Sequence, residues 1–564
     1  MPDLARRLAV ARGDEPADLV ITGGRVLSVF TREWLECDVA VCDGWIAGLG
    51  SYEGRERLDA AGRHVVPGFI DAHVHIESSR LLPAEFARLV LPFGTTCVVA
   101  DPHEIANVLG TDGVHWLLDA TEGMQLDVRF TASSCVPASK FESPRRALTE
   151  GDLEGLLRRR RVVGLAEMMN FPGVIGGDPD ELAKLALEGA GRTDGHAPGV
   201  RGAALQAYAA AGIGSDHEST TIEEGRERLR AGMWLLVREA TGARNLRDLI
   251  PLARELGPHR MAFCTDDRDP QHIASDGHVN ALVRDAVAEG VDPADALMMA
   301  TLNPATWHGL TGLGAVAPGY RADLLILPDL QAFVPDVVLT GGRPPSEIEG
   351  GPVPEWVRHT VRVAPLTLGD LRIPWEGDRP ARVIGVIPGQ IVTEALTETP
   401  TVAAGAVVAD PERDLAKIAV VERHLGTGRI GLGLVRGLGL QRGAIASTVA
   451  HDAHNIVCVG VDDGDMARAT QRLAELGGGM VVVHERGIRA ELPLPVAGLL
   501  SAAPLERVIE QTTALLAAAR DLGTSLEAPF DAISFLSLSV IPELKITDRG
   551  LVDVGRFEIV PLGT

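Results

Sequence analysis

The stretch PGFIDAHVHIESS, residues 67–79, sets two histidines and a glutamate at alternating positions behind an apolar run. Side chains on a strand alternate faces, so His73, His75 and Glu77 are predicted to point the same way. Three polar groups facing a barrel interior are costly unless something there binds them. Further along, other predicted strands close on residues that can also hold a cation: Glu167, His196, His217 and Asp266. The inventory suits two divalent ions, one gripped by His73, His75 and Asp266, the other by His196 and His217, with Glu167 bridging. Mixed imidazole and carboxylate donors without thiolate fit Mn(II), Fe(II) or Zn(II). Two bridged ions about 3.5–4 Å apart pull on a shared water and supply hydroxide near neutral pH. That is hydrolytic chemistry.

The elements that must position these groups alternate in type. Strand candidates cover residues 69–76, 95–104, 128–134, 162–170, 192–199, 212–218, 233–239 and 261–267, with helical stretches such as PAEFARLVL and TIEEGRERLRAG between them. Eight βα units predict parallel strands closed into a (β/α)8 TIM-like barrel, which delivers residues at its C-terminal strand ends to one mouth. The expected fold is therefore α/β, with the barrel at 66–310. Short strands before it (1–65) and after it (311–348) are expected to pair into one small β-sandwich. A Pro/Gly-rich connector (349–382) leads to a C-terminal α+β domain (383–564).

The totals agree with such an enzyme. A chain of 564 residues with 46% hydrophobic content has material for several cores. No segment reaches the roughly 20 apolar residues of a membrane span, and the arginine-bearing N-terminus lacks a signal-peptide core. The six scattered cysteines form no C-x-x-C pair and read as reduced thiols of a cytoplasmic protein. A formal net charge of -24 argues against nucleic-acid partners. The missing C-x-x-C also excludes the zinc nucleobase deaminases of the other fold, which need H-x-E with P-C-x-x-C.

Taken together, PGFIDAHVHIESS, VVADPHEIANVLG, GLAEMMNFPGV, TDGHAPG, GSDHE and MMATLNPA resemble the adenine deaminase family of the amidohydrolase superfamily. The C-terminal VAHDAHNIVCVG and FLSLSVIPELKITDRGLVD resemble that family's carboxy-terminal domain, so the likeness covers nearly the whole chain. It implies His73, His75, Glu167, His196, His217 and Asp266 as metal ligands, with Glu167 standing where many relatives carry a carboxylated lysine. It implies two divalent metal ions per subunit, Mn(II) or Fe(II) before Zn(II), and hydrolysis of adenine to hypoxanthine and ammonia. Attack at C6 of the purine needs a base and a proton donor. Asp266, Glu77 and His217 are the candidate catalytic residues: Asp266 to take the proton of the attacking oxygen and pass it to the amine, Glu77 either to donate to a ring nitrogen or to orient a histidine.

Other residues are expected near the mouth. Asp101 and His103 share parity at the end of the second strand and would orient ligands or add a metal position. Arg238 would touch substrate or pair with a strand-end carboxylate. His451, Asp452, His454 and Asn455 would line the cleft between the last domain and the barrel, or form a local turn network. Glu104 and Glu218, next to inward residues, are expected to point away or cap a helix, and Asp267 and Asp269 to belong to a loop. His278 is a helix-start residue of open role. The loops LLVREAT and RDPQHIASDGHVN depart from the family wording, which keeps open another C–N bond in a substituted purine, a cyclic amide or an N-acyl substrate. A non-catalytic metal-binding scaffold is the remote alternative. By fold analogy the chain is expected to be a homo-oligomer, a dimer first.

Overall fold

Eight short strands form the centre of the chain, here described from a computed structural model over residues 4–348 and 350–564. They are β1 (Phe69–Val74), β2 (Thr95–Ala100), β3 (Asp127–Ala132), β4 (Val162–Met168), β5 (Thr193–Gly195), β6 (Ser215–Asp216), β7 (Trp234–Arg238) and β8 (Met261–Cys264). Neighbours pair in parallel from β1 to β5 and from β6 to β8. Parallel bridges between Thr193 and Ile213 and between Val74 and Asp266 join the two runs. The sheet thus closes on itself, as the alternating pattern predicts. β1 and β2 are buried at every position, as strands covered by helices on the outside and side chains on the inside must be.

The outer helices start where the sequence offers caps. Thr149 with Asp152, and Thr221 with Glu224, form capping boxes that open the helices Glu150–Leu157 and Ile222–Arg230. Several strands stop earlier than the periodicity suggests. β1 ends at Val74, after which Ile76–Ser79 turn as a 3-10 helix, so Glu77 does not share a strand face with His73 and His75. β6 is only two residues long, so alternation does not extend to Glu218.

Two sheets flank the barrel and pack face to face around Ile21, Val26, Val39, Val65, Leu324 and Ile326. One holds Ala17–Thr22, Asp38–Cys42, Trp45–Gly50 and Gly54–Asp59. The other mixes strands from both sides of the barrel, with Leu324–Leu327 antiparallel to His64–Pro67. His64–Pro67 leads through Gly68 straight into β1, so this pairing anchors the strand that carries the HVH motif.

The C-terminal region is built on an eight-stranded sheet. Its strand Leu415–Val421 is buried throughout and apolar on both faces except at Lys417. Ala419 and Val421 pack with Met466, Ala469 and Leu473 of the helix Asp463–Leu476. Ile418 and Val420, with opposite parity, join the cluster that contains Val508, Leu515 and Ala519 of the helix Leu505–Asp521 and continues into the barrel core. That second face presses the HDAHN segment against the barrel mouth. Among the described residues no helix is long and apolar enough to cross a membrane.

Candidate metal centre

The residues at the strand ends converge. His73 Nε2 and His75 Nε2 face one another at 3.1 Å, and Asp266 Oδ1 lies 3.5 Å from the first and 3.1 Å from the second. Glu167 Oε1 stands 3.7 and 3.4 Å from the same two nitrogens. Its other oxygen, Oε2, is 2.7 Å from His196 Nδ1 and 3.4 Å from His217 Nε2. Glu167 therefore sits between two groups of donors, and all six side chains are buried. The rings of His73 and His217 stack with centroids 4.4 Å apart, which closes the ring of residues.

The chemistry of these donors can be tested against a cation. His75 Nδ1 lies 3.0 Å from the Asp101 carbonyl oxygen. A carbonyl only accepts, so Nδ1 carries the proton and Nε2 of the neutral ring is a lone pair. That lone pair points at Asp266 Oδ1 and Glu167 Oε1, which are also acceptors. Three buried acceptors aimed at one point repel unless a positive charge lies among them. Spacings of 3.1–3.7 Å are those of two ligands on one ion, each about 2.0–2.2 Å from it. His196 Nε2, His217 Nδ1 and Glu218 Oε2 are further buried polar atoms without a hydrogen-bond partner. The residues fit a divalent metal.

Without an ion, protons on the imidazoles would have to supply the positive charge. Burial alone would raise the Asp266 and Glu167 carboxyls. The imidazoles of His73 and His75 beside Asp266, and of His196, His217 and His75 beside Glu167, hold both well below the usual carboxylate range. Asp266 itself adopts the left-handed backbone region with φ 55°, which aspartate tolerates better than most residues. Its N–H donates to the His73 carbonyl and its own carbonyl accepts from His75 N–H, 3.0 and 3.2 Å. The close β5–β6 approach also needs a particular residue. A Cβ on Gly195 would sit 2.2 Å from the Ser215 carbonyl oxygen, so only glycine lets the strand before His196 pass that close.

Around this centre, the placements are mixed. Asp101 accepts from His103 Nδ1–H at 3.1 Å and from Ser133 Oγ at 3.0 Å, and through its carbonyl it fixes His75. His103 reaches 3.5 Å from Glu167 Oε1. Arg238 donates to Glu218, to Asp266 Oδ2 at 3.2 Å and to Asn245 at 3.2 Å, so it pairs with carboxylates. Glu218 corrects the sequence expectation. It does not point away but lies 3.5 Å from His196 and 3.3 Å from His217. Burial would raise its carboxyl, but Arg238 brings it down to about 2. Glu104 is likewise buried inside, accepting from Ser78 Oγ at 2.7 Å, because the helix His103–Leu109 begins at His103 and its first turn faces the mouth. Glu77 accepts from the Ile105 N–H at 3.3 Å and does not line the cavity beside the centre. Burial next to Glu104 pushes its carboxyl up to about 8. Asp269 pairs with Arg80, and His278 bonds Thr95 and Thr265 away from the centre.

The C-terminal region completes the wall. His451, Asp452, Phe535 and Leu538 share a small cavity with Met169, Asp267 and the metal-capable residues. The cavity measures about 20 Å³, room for about one water. Across Phe535 a groove of about 530 Å³ opens to the surface, bordered by Thr241, Gln390 and Asp531. His451 stacks on Phe535 with centroids 4.5 Å apart. Burial lowers the His451 imidazole, but Asp267, Asp452 and Glu104 together bring it up to about 9. His454 stands one layer back, accepting from the Ala450 N–H at 3.1 Å, with Nε2 3.7 Å from Glu104.

Residues 64–351 match the amidohydrolase family, and residues 390–558 match the adenine deaminase C-terminal domain. An adenine deaminase of Desulfatibacillum aliphaticivorans is 48% identical over 565 residues, covering 98% of this chain and 99% of that one. Adenine deaminase 2 of Carboxydothermus hydrogenoformans is 47% identical, covering 98% of both chains. An adenine deaminase of Methanothrix thermoacetophila is 47% identical with the same coverage.

Proposed function

The chain belongs to the adenine deaminase family of amidohydrolases, and from that premise we propose that it hydrolyses adenine to hypoxanthine and ammonia at the barrel mouth. The observation that carries the reading is the set of buried acceptors around His75 Nε2, which call for positive charge among them. His73, His75 and Asp266 would hold one divalent metal, His196 and His217 a second, with Glu167 between them. Such a pair lowers the pKa of water towards neutrality and polarises the bond being attacked; Mn(II) and Fe(II) suit the donors first, Zn(II) after them.

The protein's own groups then divide the work. Asp266 is the base: Arg238 bonds its Oδ2 and keeps the carboxylate ionised, so it takes the proton from the attacking water. The same carboxyl group returns that proton to the departing amine. Asp101 holds His75 and His103 in their tautomers. Glu218, its charge balanced by Arg238, faces the same nitrogens of His196 and His217 as Glu167 does and adds a carboxylate to that side of the centre. Met169, Phe535 and Leu538 supply apolar faces for a planar base and keep bulk water out. Because the cavity is smaller than a purine, substrate entry displaces part of this wall. We assign the enzyme to the cytoplasm as a homo-oligomer, the second of which sedimentation velocity tests.

The direct experiment is to strip the protein with chelator, reload it with Mn(II), Fe(II) or Zn(II), and follow ammonia release from adenine, hydantoin and N-acetylated substrates. Turnover of adenine should need about two metal equivalents. Asp266→Asn should abolish it with an unchanged circular dichroism spectrum. Full activity in the chelated protein, or in Asp266→Asn, overturns the reading.

A further inference from the structure

The residue that stands out beside the centre is Asp452, delivered by the C-terminal region. It is fully buried, and neither carboxylate oxygen has a hydrogen-bond partner. His103 Nε2 and His451 Nδ1 are its nearest titratable neighbours, each 3.5 Å from Oδ1, which is too long for a hydrogen bond. Burial alone would raise this carboxyl, but the two imidazoles hold it well below the usual range, so an ionised acceptor faces the cavity. The imidazoles balance its charge without bonding it, and a buried carboxylate with no hydrogen-bond donor is expensive, so a ligand donor is what it lacks.

The substrate has such a donor. Adenine carries two kinds of N–H: the exocyclic amine at C6 and one ring N–H on the five-membered ring. Hydrolysis removes the amine, so that end must face Asp266 and Glu167. The ring N–H then lies at the opposite end of the purine. From Glu167 the cavity wall runs through His103, 3.5 Å away, to Asp452, a further 3.5 Å from the imidazole. Once the wall has opened to admit it, a purine with its amine towards Glu167 turns its far end towards Asp452, and Met169, Phe535 and Leu538 line the same cavity.

Resting on the function proposed above, we infer that Asp452 accepts a hydrogen bond from the ring N–H of the purine and thereby selects the free base over nucleosides and other N-substituted purines. A nucleoside has no ring N–H, and its sugar would leave the carboxylate without a donor in a dry wall. Sites built around a substrate N–H reject analogues lacking it by about 10,000-fold.

The test compares kcat/KM for adenine and 9-methyladenine, which lacks a ring N–H, in the metal-loaded wild type, Asp452→Ala and Asp452→Asn. Asp452→Ala should lower the adenine value about 1,000-fold, leave 9-methyladenine within about threefold, and so collapse the preference, with Asp452→Asn in between. Metal content should stay the same in all three. A merely structural role lowers both substrates together and keeps their ratio, which overturns the inference. So does loss of one metal equivalent with the ratio intact, because His103, His451 and Asp452 would then be ligands of a further cation. If the wild type releases no ammonia from adenine, the proposed function falls instead. Calorimetric binding of adenine against 9-methyladenine then reads the Asp452 contact by itself, and equal affinities reject it.

Discussion

Arg228 offers the sharpest test of how the fold holds the second half of the centre. It is completely buried on the helix Ile222–Arg230, and its three donors reach two different loops. Nε donates to Asp216 Oδ2 at 3.1 Å, while the terminal nitrogens donate to the Val200 and Ala197 carbonyls, both at 2.7 Å. Asp216 in turn accepts from the Ala197 N–H at 3.0 Å and from Ser219 Oγ at 2.8 Å. Ala197 follows His196 and Asp216 precedes His217, so this network clamps the two loops that present those imidazoles. Arg228→Met keeps the apolar stem but leaves a buried carboxylate and two carbonyls without their donor. Removing one partner of a buried ion pair costs about 3–5 kcal/mol. Loosening the groups that orient metal-binding residues costs about 10–100-fold in affinity, or roughly 1.4–2.8 kcal/mol. Calorimetric titration of the metal-free protein with Mn(II) separates the two effects. One equivalent should bind as in the wild type, through His73, His75 and Asp266, and the other 10–100-fold more weakly. Adding Asp216→Leu should restore much of the thermal midpoint, since an apolar pair can replace a buried ionic one, but not the weak equivalent. Two unchanged equivalents in Arg228→Met would show that the clamp does not set the imidazoles.

Two further outcomes follow from the same physics. Lys545 is buried with no carboxylate beside it and donates to the Ile391 and Phe535 carbonyls at 2.7 and 3.0 Å. Burial brings its ammonium down from 10.5 to about 7. Between those values the unfolded chain binds one proton more than the folded one, so the destabilisation caused by this buried ammonium shrinks as pH rises, by about 1.4 kcal/mol per unit and about 5 kcal/mol in all, and is constant below the folded value. Lys545→Met should remove that pH dependence, and a wild-type minus variant difference in thermal midpoint that is constant from pH 7 to 9 refutes it. Gly195→Ala forces a methyl group to within 2.2 Å of the Ser215 carbonyl and 2.8 Å of Ile213 Cγ2. The strands must part, which overpacking data place at about 1–3 kcal/mol, and His196 moves with them. Ammonia release should fall at least tenfold, whereas wild-type turnover would mean that β5 and β6 tolerate the extra atom.

What could be read from the chain before its structure follows from how each contact is made. Barrel topology alone brings strand ends together, so His73, Glu167, His196, His217 and Asp266 meet although up to 193 residues separate them, and alternating βα text was enough to expect it. The same alternation misleads one step beyond a strand. Glu77 falls in a 3-10 turn and Glu218 follows a two-residue strand, so period-two parity wrongly aimed the first at the cavity and the second away. Turn geometry depends on local backbone choices, such as the left-handed Asp266, that residue types hint at only weakly. Contacts across domains have less local signal still. Asp452 and Phe535 reach the mouth because one face of the C-terminal sheet packs into the barrel core, and nothing near either residue encodes that docking. The one trace was the density of polar groups in HDAHN, too costly to bury without partners. The barrel faces each of them with a polar group: Asp267 for His451, His103 for Asp452, Glu104 for His454, and the Ser143 carbonyl, which accepts from Asn455 at 3.2 Å. A polar segment that faces such groups in another domain holds the two in one register, so the catalytic wall and the domain joint share these contacts.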